Sequence, residues 1–350
     1  MLLTFRGVPA GYPYTCKTNL WGECMRILTL AASMALALAG AVGVQAQSFP
    51  TKPITLVVGF APGGPTDTVA RVLGEHMRHT LGESTVVENK PGAAGTIGLG
   101  QVVRADPDGH MLYVGNWTVN VGAVRTFPIQ FDALNDIAPI ALLTSSKLWI
   151  VARKDLPANN AKEFVAWLKS SEGRANAASI GVGSAAHVCL VDVKNRSGGD
   201  FQLVTYRGGA PAVQAIAAGQ ADFGCLEGGQ TLGLLRGGQV KVIGVASTTR
   251  WAGAPDVPTL AEGGLPGVDL EFWHGLWAPK NTPKPVIAKL NDAVIKAFAD
   301  ESVKKRLTAI GHTLPPKDKM TPQALYNHHK AEVDKWWPIM QKAGIKGPNT

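Results

Sequence analysis

The sequence lacks the residue spacings that most often mark a metal site. It has four cysteines and eight histidines in 350 residues, but neither a Cys-x-x-Cys nor a His-Glu-x-x-His motif. His328 and His329 are adjacent, so they point to different faces of a helix. Because zinc sites need ligands at such spacings, we predict no metal site and no cofactor.

Long runs of like charge are also missing. The formal net charge is +8, yet no block of five or more acidic or basic residues occurs. A thinly spread positive excess does not indicate a nucleic-acid or membrane-binding surface, although it favours small anionic ligands.

Patterns typical of enzymes are absent or incomplete. There is no Gly-x-Ser-x-Gly motif, and Ser184 with His187 has no evident orienting acid. Residues 181–186 match a Gly-x-Gly-x-x-Ala dinucleotide fingerprint, but Asp200 precedes the next predicted strand, whereas a ribose-binding acid should end it. We therefore expect no catalysis.

An export signal accounts for the long apolar run near the start. Arg26 precedes an apolar stretch over residues 27–44, and small residues end at Ala46, which is typical of a secretory signal peptide. A membrane anchor is the alternative, but the run is barely long enough to span a bilayer. Residues 1–24 look like no export element, so translation is expected to start at Met25.

Export changes both the charge balance and the chemistry of the cysteines. Removing residues 1–46 takes away three basic residues and one acidic residue, so 34 and 26 become 31 and 25, a net charge of +6. Cys189 and Cys225 then remain. In an oxidising compartment they could form a disulfide, and two buried free thiols are the alternative.

Short apolar runs alternate with amphipathic stretches, which predicts an α/β fold with largely parallel sheets. Beyond residue 278 the pattern is almost all helix, and these helices must cover an existing sheet. We expect two α/β domains, residues 47–149 with 272–350 and residues 150–271, joined by a hinge of two chain crossings. The first strands are predicted at residues 54–60, 85–88, 111–114, 137–142 and 149–152.

Residues 54–67 carry the clearest candidate for a binding loop. A buried strand leads into Gly63 and Gly64, and Pro65 begins a helix that Thr66 and Asp67 could cap. Glycine lets a ligand approach the backbone N–H groups, and the positive end of the helix dipole favours an anion. A tight connection without function is the alternative.

Three more loops follow predicted strands, where open α/β sheets bind ligands. They span residues 115–120, 181–187 and 206–211. The Gly63-Gly64 loop and residues 115–120 belong to one predicted domain, and residues 181–187 and 206–211 belong to the other. All four loops could therefore face one cleft. Their glycines and neutral hydrogen-bonding side chains suit a small polar anion.

Together these segments resemble the Bug family, the periplasmic receptors of tripartite tricarboxylate transporters. The likeness covers nearly the whole mature chain, and the order and number of otherwise common loops make it specific. It rests on residues 49–54, 57–67, 86–95, 105–109, 137–141, 181–187, 206–212, 257–259 and 275–279.

The resemblance implies a type II periplasmic binding protein, with two α/β domains, a two-crossing hinge and a ligand cleft between them. Such a monomeric receptor, without catalysis, would capture a small carboxylate, either an organic acid or an acidic amino-acid-like molecule. It would pass the ligand to inner-membrane transporter subunits. Delivery of the ligand to a sensor protein is the alternative, and an exported enzyme is a third hypothesis.

The resemblance also implies the site residues. The first loop is expected to hold a carboxylate through backbone groups and water, and Trp117 is expected to narrow the cleft. Cys189 and Cys225 look like a cysteine pair found in part of the family. Relatives often carry Asp-Gln after the second cysteine, so a ligand amine is in doubt unless Glu227 replaces that Asp. The implied ligand-binding residues are Phe60, Ala61, Gly63, Gly64, Asp67, Asn116, Thr118, Asn120, Ser184, Ala185, His187, Gly208, Gly209, Ala210 and Glu227.

Overall fold

The structure, a computed structural model, describes residues 49–345. The expected signal peptide, its cleavage near Ala46 and the start at Met25 lie outside the described residues. Across residues 49–345, no helix is long and apolar enough to cross a membrane.

Three parallel strands open the fold. β1 (Ile54–Val58) lies between β2 (Thr85–Asn89) and β3 (Met111–Asn116). The connections are α1 (Pro65–Leu81) and α2 (Thr96–Val103), which pack against these strands. Four of the five β1 residues are fully buried, as expected for a parallel strand covered on both faces.

The strand β4 (Ile137–Arg153) is continuous where the sequence suggested two separate strands. Up to Lys147 it pairs antiparallel with β9 (Glu271–Pro279). From Leu148 onwards it pairs antiparallel with β7 (Phe223–Glu227) and β8 (Val240–Val245). The polar residues 144–147 interrupt the apolar pattern but not the strand, because β9 supplies their pairing partners.

The second half of the chain repeats the α/β pattern. β5 (Asn176–Ser179) pairs parallel with β6 (Gln202–Thr205) and with β7. The strand order is β2-β1-β3-β9-β4-β7-β5-β6, with β8 also paired to β4. Because β4 and β9 run antiparallel to their neighbours, the sheet is mixed rather than largely parallel. Four helices belong to this half: α3 (Ala161–Ser170), α4 (Ala185–Ser197), α5 (Gly209–Ala217) and α6 (Gly228–Arg236).

The last helices return to the first half, as the sequence predicted. They are α7 (Lys284–Ala299), α8 (Glu301–Ala309) and α9 (Pro322–Lys342). Both α7 and α9 contact β4, and α7 and α8 contact α1. The side chain of Asn291 in α7 donates hydrogen bonds to the carbonyls of Ile140 (2.8 Å) and Met320 (2.7 Å), which fixes this helix on the sheet.

The two mature cysteines are paired. Cys189 in α4 and Cys225 in β7 form a disulfide, and both residues are buried. The pair joins a helix to the strand that leads into Glu227, and the predicted disulfide is thus confirmed.

Candidate functional site

A narrow cleft lies where loops from both halves of the chain meet. Its inner part has a cavity volume of about 40 Å³. A wider opening of about 450 Å³ shares Phe60, Ile180 and Gly208 with it, and Arg207 lies at this opening. The inner walls consist of the loop after β1, the end of β3, the loop after β6, the end of β7, and Phe272 of β9.

Three helices begin at the inner walls. They are α1 with N-cap Gly64, α5 with N-cap Gly208 and α6 with N-cap Glu227, and none of the three has a side-chain cap. Their first N–H groups therefore lack intrahelical and side-chain acceptors. The positive ends of three helix dipoles meet here, while no Lys or Arg is among the residues that line the inner cleft. The arrangement suits an anion bound by backbone groups.

The side chain of Asp67 holds the loop after β1 in place through hydrogen bonds. Its carboxylate accepts hydrogen bonds from the Gly63 N–H (2.9 Å), from Arg71 (2.9 and 3.0 Å) and from Asn89 (2.9 Å). The Asn89 amide also donates to the Phe60 carbonyl. Burial alone would raise the pKa of Asp67, but these hydrogen bonds outweigh it and lower the pKa below its ordinary value.

Asn116 and Thr66 are held in place by a buried histidine. The Asn116 amide donates to Thr66 Oγ1 (2.8 Å), and Thr66 Oγ1 also forms a hydrogen bond with His274 Nε2 (3.1 Å). His274 Nδ1 forms a hydrogen bond with Thr144 Oγ1 (3.1 Å). Burial, and secondly the nearby His312, lower the pKa of His274 well below its ordinary value, so the imidazole is neutral. This chain leaves the second Asn116 N–H as the donor available to a ligand.

Glu227 is a buried acid in the wall of the cleft. It is 5% exposed. The Ser146 hydroxyl donates to its Oε2 at 2.6 Å, and the Gln230 amide donates to its Oε1 at 3.4 Å. Burial raises the pKa of Glu227 to about 8, although the hydrogen bonds from Ser146 and Gln230 act in the opposite direction. At neutral pH this side chain is mainly a neutral acid.

The second and third predicted loops contact each other directly. The Ala185 N–H donates to Thr118 Oγ1 at 3.1 Å, across the two halves of the chain. Ser184 caps α4 by accepting from the His187 N–H (3.1 Å), and His187 Nδ1 accepts from the Gly183 N–H (3.0 Å). Burial lowers the pKa of His187. These residues contact one another and do not line the inner cleft.

Two residues of the loop after β3 lie away from the cleft. Asn120 lines a separate cavity of about 260 Å³ beside His329, whose Nε2 contacts the Asn120 carbonyl at 2.9 Å. Trp117 is fully buried, donates to Glu332 (3.0 Å) and packs edge-on against Trp336. The expectation that Trp117 narrows the cleft is wrong, because its ring packs inward against α9.

Eight of the fifteen predicted residues line the inner cleft. Sequence reasoning missed Thr66, Gln230 and Phe272, which line it as well. One signal for Gln230 was available, because Gly228-Gly229 after β7 repeats the strand-Gly-Gly-helix pattern of β1. The eight are Phe60, Ala61, Gly64, Asn116, Gly208, Gly209, Ala210 and Glu227. The other seven are Gly63, Asp67, Thr118, Asn120, Ser184, Ala185 and His187.

A larger cavity of about 770 Å³ lies elsewhere, lined mainly by apolar residues such as Trp251, Phe298 and Met320. It is not where the three helix starts meet, so size alone does not make it the candidate anion site. Among residues 49–345, no group of three or more acids, histidines or cysteines could hold a metal ion.

Comparison with known proteins identifies the family. Residues 69–345 match the family described as tripartite tricarboxylate transporter family receptor. The chain belongs to this family. It is a family of solute-binding receptors and not one of enzymes, and BugT from Bordetella pertussis is a relative at 28% identity over 308 residues, 87% of this chain and 94% of BugT. The resemblance to the Bug family is confirmed.

Solved structures of family members share the fold. MatC from Rhodopseudomonas palustris with bound malate is 38% identical with a TM-score of 0.79, covering 82% of this chain and 98% of MatC. The periplasmic binding protein BugD is 36% identical with a TM-score of 0.81, covering 85% and 100%. An R. palustris protein with adipate is 25% identical with a TM-score of 0.81, covering 85% and 99%. The α/β fold of periplasmic binding proteins is thus confirmed.

Proposed function

We propose that this protein is an exported periplasmic receptor that captures a small carboxylate and delivers it to the membrane subunits of a tripartite tricarboxylate transporter. The signal peptide would be removed near Ala46. The observation that carries the proposal is the meeting of three uncapped helix starts in one cleft without a lysine or arginine. Such a site stabilises negative charge through fixed backbone dipoles.

Ligand class is supported by the relatives as well as by the geometry. MatC holds malate and another family member holds adipate, both of them small dicarboxylates. Gly64 and Gly208 in the wall leave room for carboxylate oxygens beside the backbone N–H groups. We infer that a ligand carboxylate lies between α1 and α5.

We further propose that binding closes the two predicted domains about β4 and β9. The walls of the cleft come from residues on both sides of the pairing switch at Lys147 and Leu148. A ligand that contacts both walls favours the closed arrangement by its differential affinity for that state.

Calorimetry with malate and adipate tests the function, with glucose as a neutral control of similar size. Binding of one dicarboxylate and none of glucose is expected. Mass spectrometry of small molecules that copurify with the protein should identify a carboxylate. If a neutral sugar binds and no carboxylate does, the proposed ligand class is wrong.

A further inference from the structure

A buried acid in an anion-binding cleft needs an explanation. Glu227 lies in the same wall as the starts of α5 and α6, and its carboxyl group is enclosed by Ser146, Gln230 and the cleft itself. An ionised Glu227 would repel a ligand carboxylate at hydrogen-bonding distance, and burial would strengthen this repulsion.

Within residues 49–345, no positive side chain pairs with Glu227. On β4, Lys147 pairs with the exposed Glu271 at 3.4 Å. On α1, Arg71 is held by Asp67. His274 of β9 is committed to Thr66 and Thr144.

The remaining neighbouring influences are small. Arg207, at the wider opening, is exposed and does not line the inner cleft. The positive end of α6 favours ionised Glu227. Burial acts in the opposite direction and raises the pKa of Glu227 to about 8, so the neutral acid dominates at pH 7.

Gln230 provides a second observation. Its Oε1 is buried and has no hydrogen-bond partner within residues 49–345, while its amide nitrogen lies 3.4 Å from Glu227 Oε1. Suppose that Glu227 is protonated and that the Gln230 side-chain amide rotates so that its oxygen and nitrogen exchange places. The acid proton then reaches Gln230 Oε1, and the Gln230 NH₂ group points to the ligand. Without the turn, the Glu227 O–H itself faces the ligand. Either arrangement leaves a donor for a carboxylate oxygen.

We propose that Glu227 acts as a neutral acid that, with Gln230, supplies a hydrogen-bond donor to the ligand, so that the receptor selects carboxylates without an ammonium group and couples their binding to a proton. This inference rests on the proposed function. It predicts opposite pH dependence for two molecules of nearly equal shape, L-malate and L-aspartate, which differ in a hydroxyl and an ammonium group.

Calorimetry on the purified full chain from pH 6 to 9 tests the proposal. Malate is fully ionised over this range, so its affinity should fall about tenfold per pH unit above the pKa of Glu227 near 8. Binding at pH 8.5 should take up a proton, seen as an enthalpy that depends on the buffer. Aspartate should bind at least tenfold more weakly than malate at pH 7, and its disadvantage should shrink as pH rises.

Three variants separate this role from a structural one. Glu227→Gln cannot ionise, so its malate affinity should be equal at pH 6.5 and 9, whatever its absolute value. Ser146→Ala removes a hydrogen bond that lowers the pKa of Glu227, so the loss of affinity should begin at higher pH. Glu301→Gln alters a side chain that is 85% exposed and should keep the profile of the unchanged protein.

Two results would overturn the inference while the receptor function survives. One is a malate affinity that stays constant from pH 6 to 9. The other is an aspartate affinity that exceeds that of malate at pH 7 and is lost in Glu227→Gln, which would make Glu227 an ionised partner for an amine.

Infrared spectroscopy of the ligand-free protein gives a test that does not depend on which ligand is used in calorimetry. A carboxylic-acid C=O band at pH 7 that is missing in Glu227→Gln supports the neutral acid, and its absence in the unchanged protein overturns it. Failure of malate, adipate and aspartate to bind would count against the proposed function itself, and the infrared result would still decide the state of Glu227.

Discussion

Asp67 and Glu227 are both buried acids near the cleft, yet the pKa of Asp67 is lowered and that of Glu227 is raised from the ordinary value. Asp67 has Arg71, Asn89 and a backbone N–H as donors, so it remains ionised and shapes the loop. In the part of the chain that the structure describes, Glu227 has no cationic partner, so it takes up a proton instead. Partners, not burial alone, therefore set the role of each acid.

Glu227 should make the protein less stable as pH rises. Its pKa in the folded state is about 8 against an ordinary value of 4.5. The folded state thus holds a proton that the unfolded state has lost, and the free energy of unfolding falls between these two values. Glu227→Gln removes this loss. Between pH 5 and 8 the variant should gain about 3–4 kcal/mol relative to the unchanged protein, measured by urea denaturation.

Asp67→Asn is the matched comparison for that measurement. The pKa of Asp67 is lowered, so its contribution to stability is present above the ordinary pKa and is lost as pH falls through the folded value. Its effect should therefore be the same at pH 5 and 8. If the difference in free energy of unfolding between Glu227→Gln and the unchanged protein also stays constant between these pH values, that result would contradict the raised pKa of Glu227.

Gly64 can be substituted without breaking the loop. Its φ is −81°, and an added Cβ would have as its nearest neighbour the Ala61 carbonyl at 3.7 Å. Gly64→Val should leave the free energy of unfolding within about 1 kcal/mol, while its side chain takes up space in a cleft of about 40 Å³. Malate affinity should fall more than tenfold in calorimetry.

Two other glycines serve as controls for this substitution. Gly63 has φ +82°, so Gly63→Val should reduce stability by about 1–2 kcal/mol through backbone strain. Gly233 is exposed on α6 with open space around it, and Gly233→Val should leave affinity unchanged. Normal malate binding by Gly64→Val would refute the assignment of the cleft wall at Gly64 to the ligand-binding site.

At the scale of elements, the helical turn at Thr118–Ala123 packs against the loop before α4. Gly122 lies against the Gly183 carbonyl, and a Cβ at Gly122 would clash with that oxygen. Since the two segments belong to different predicted domains, we propose that this contact forms when the domains close.

Gly122→Ala should therefore hold the domains apart. We expect malate affinity to fall at least tenfold and the radius of gyration with malate to stay larger than in the unchanged protein. Gly233→Ala, which meets no neighbour, should behave normally. If Gly122→Ala closes and binds as the unchanged protein does, the contact does not report closure.

Local patterns predicted the elements better than their pairing. The β1 to α1 turn, the carboxyl-end loops and the returning C-terminal helices were readable because periodicity and glycine act over a few residues. The continuity of β4 was not, because β9, more than a hundred residues away, supplies its partners. The same limit hid the contact of Thr118 with Ala185.

At the scale of the whole molecule, β4 is one strand that serves both halves of the chain. Its partners change from β9 to β7 and β8 between Lys147 and Leu148. We place the proposed hinge at this change of partner, close to the crossing near residue 150 that the sequence predicts. The division into two domains stays a prediction.

Small-angle scattering checks closure in the intact chain. The radius of gyration should be smaller with saturating malate than without it, because ligand contacts to both walls favour the closed state. Adding glucose should leave it unchanged. An identical radius with and without malate, in a sample shown by calorimetry to bind, would argue against hinge closure.

No lysine or arginine is among the residues that line the inner cleft, so no positively charged side chain there holds a departing anion. Its attraction for an anion comes from partial charges at helix ends, and α1 stands on one wall while α5 and α6 stand on the other. Each wall alone offers only part of this attraction. A membrane partner that pulls the walls apart would therefore weaken the hold on the ligand by geometry.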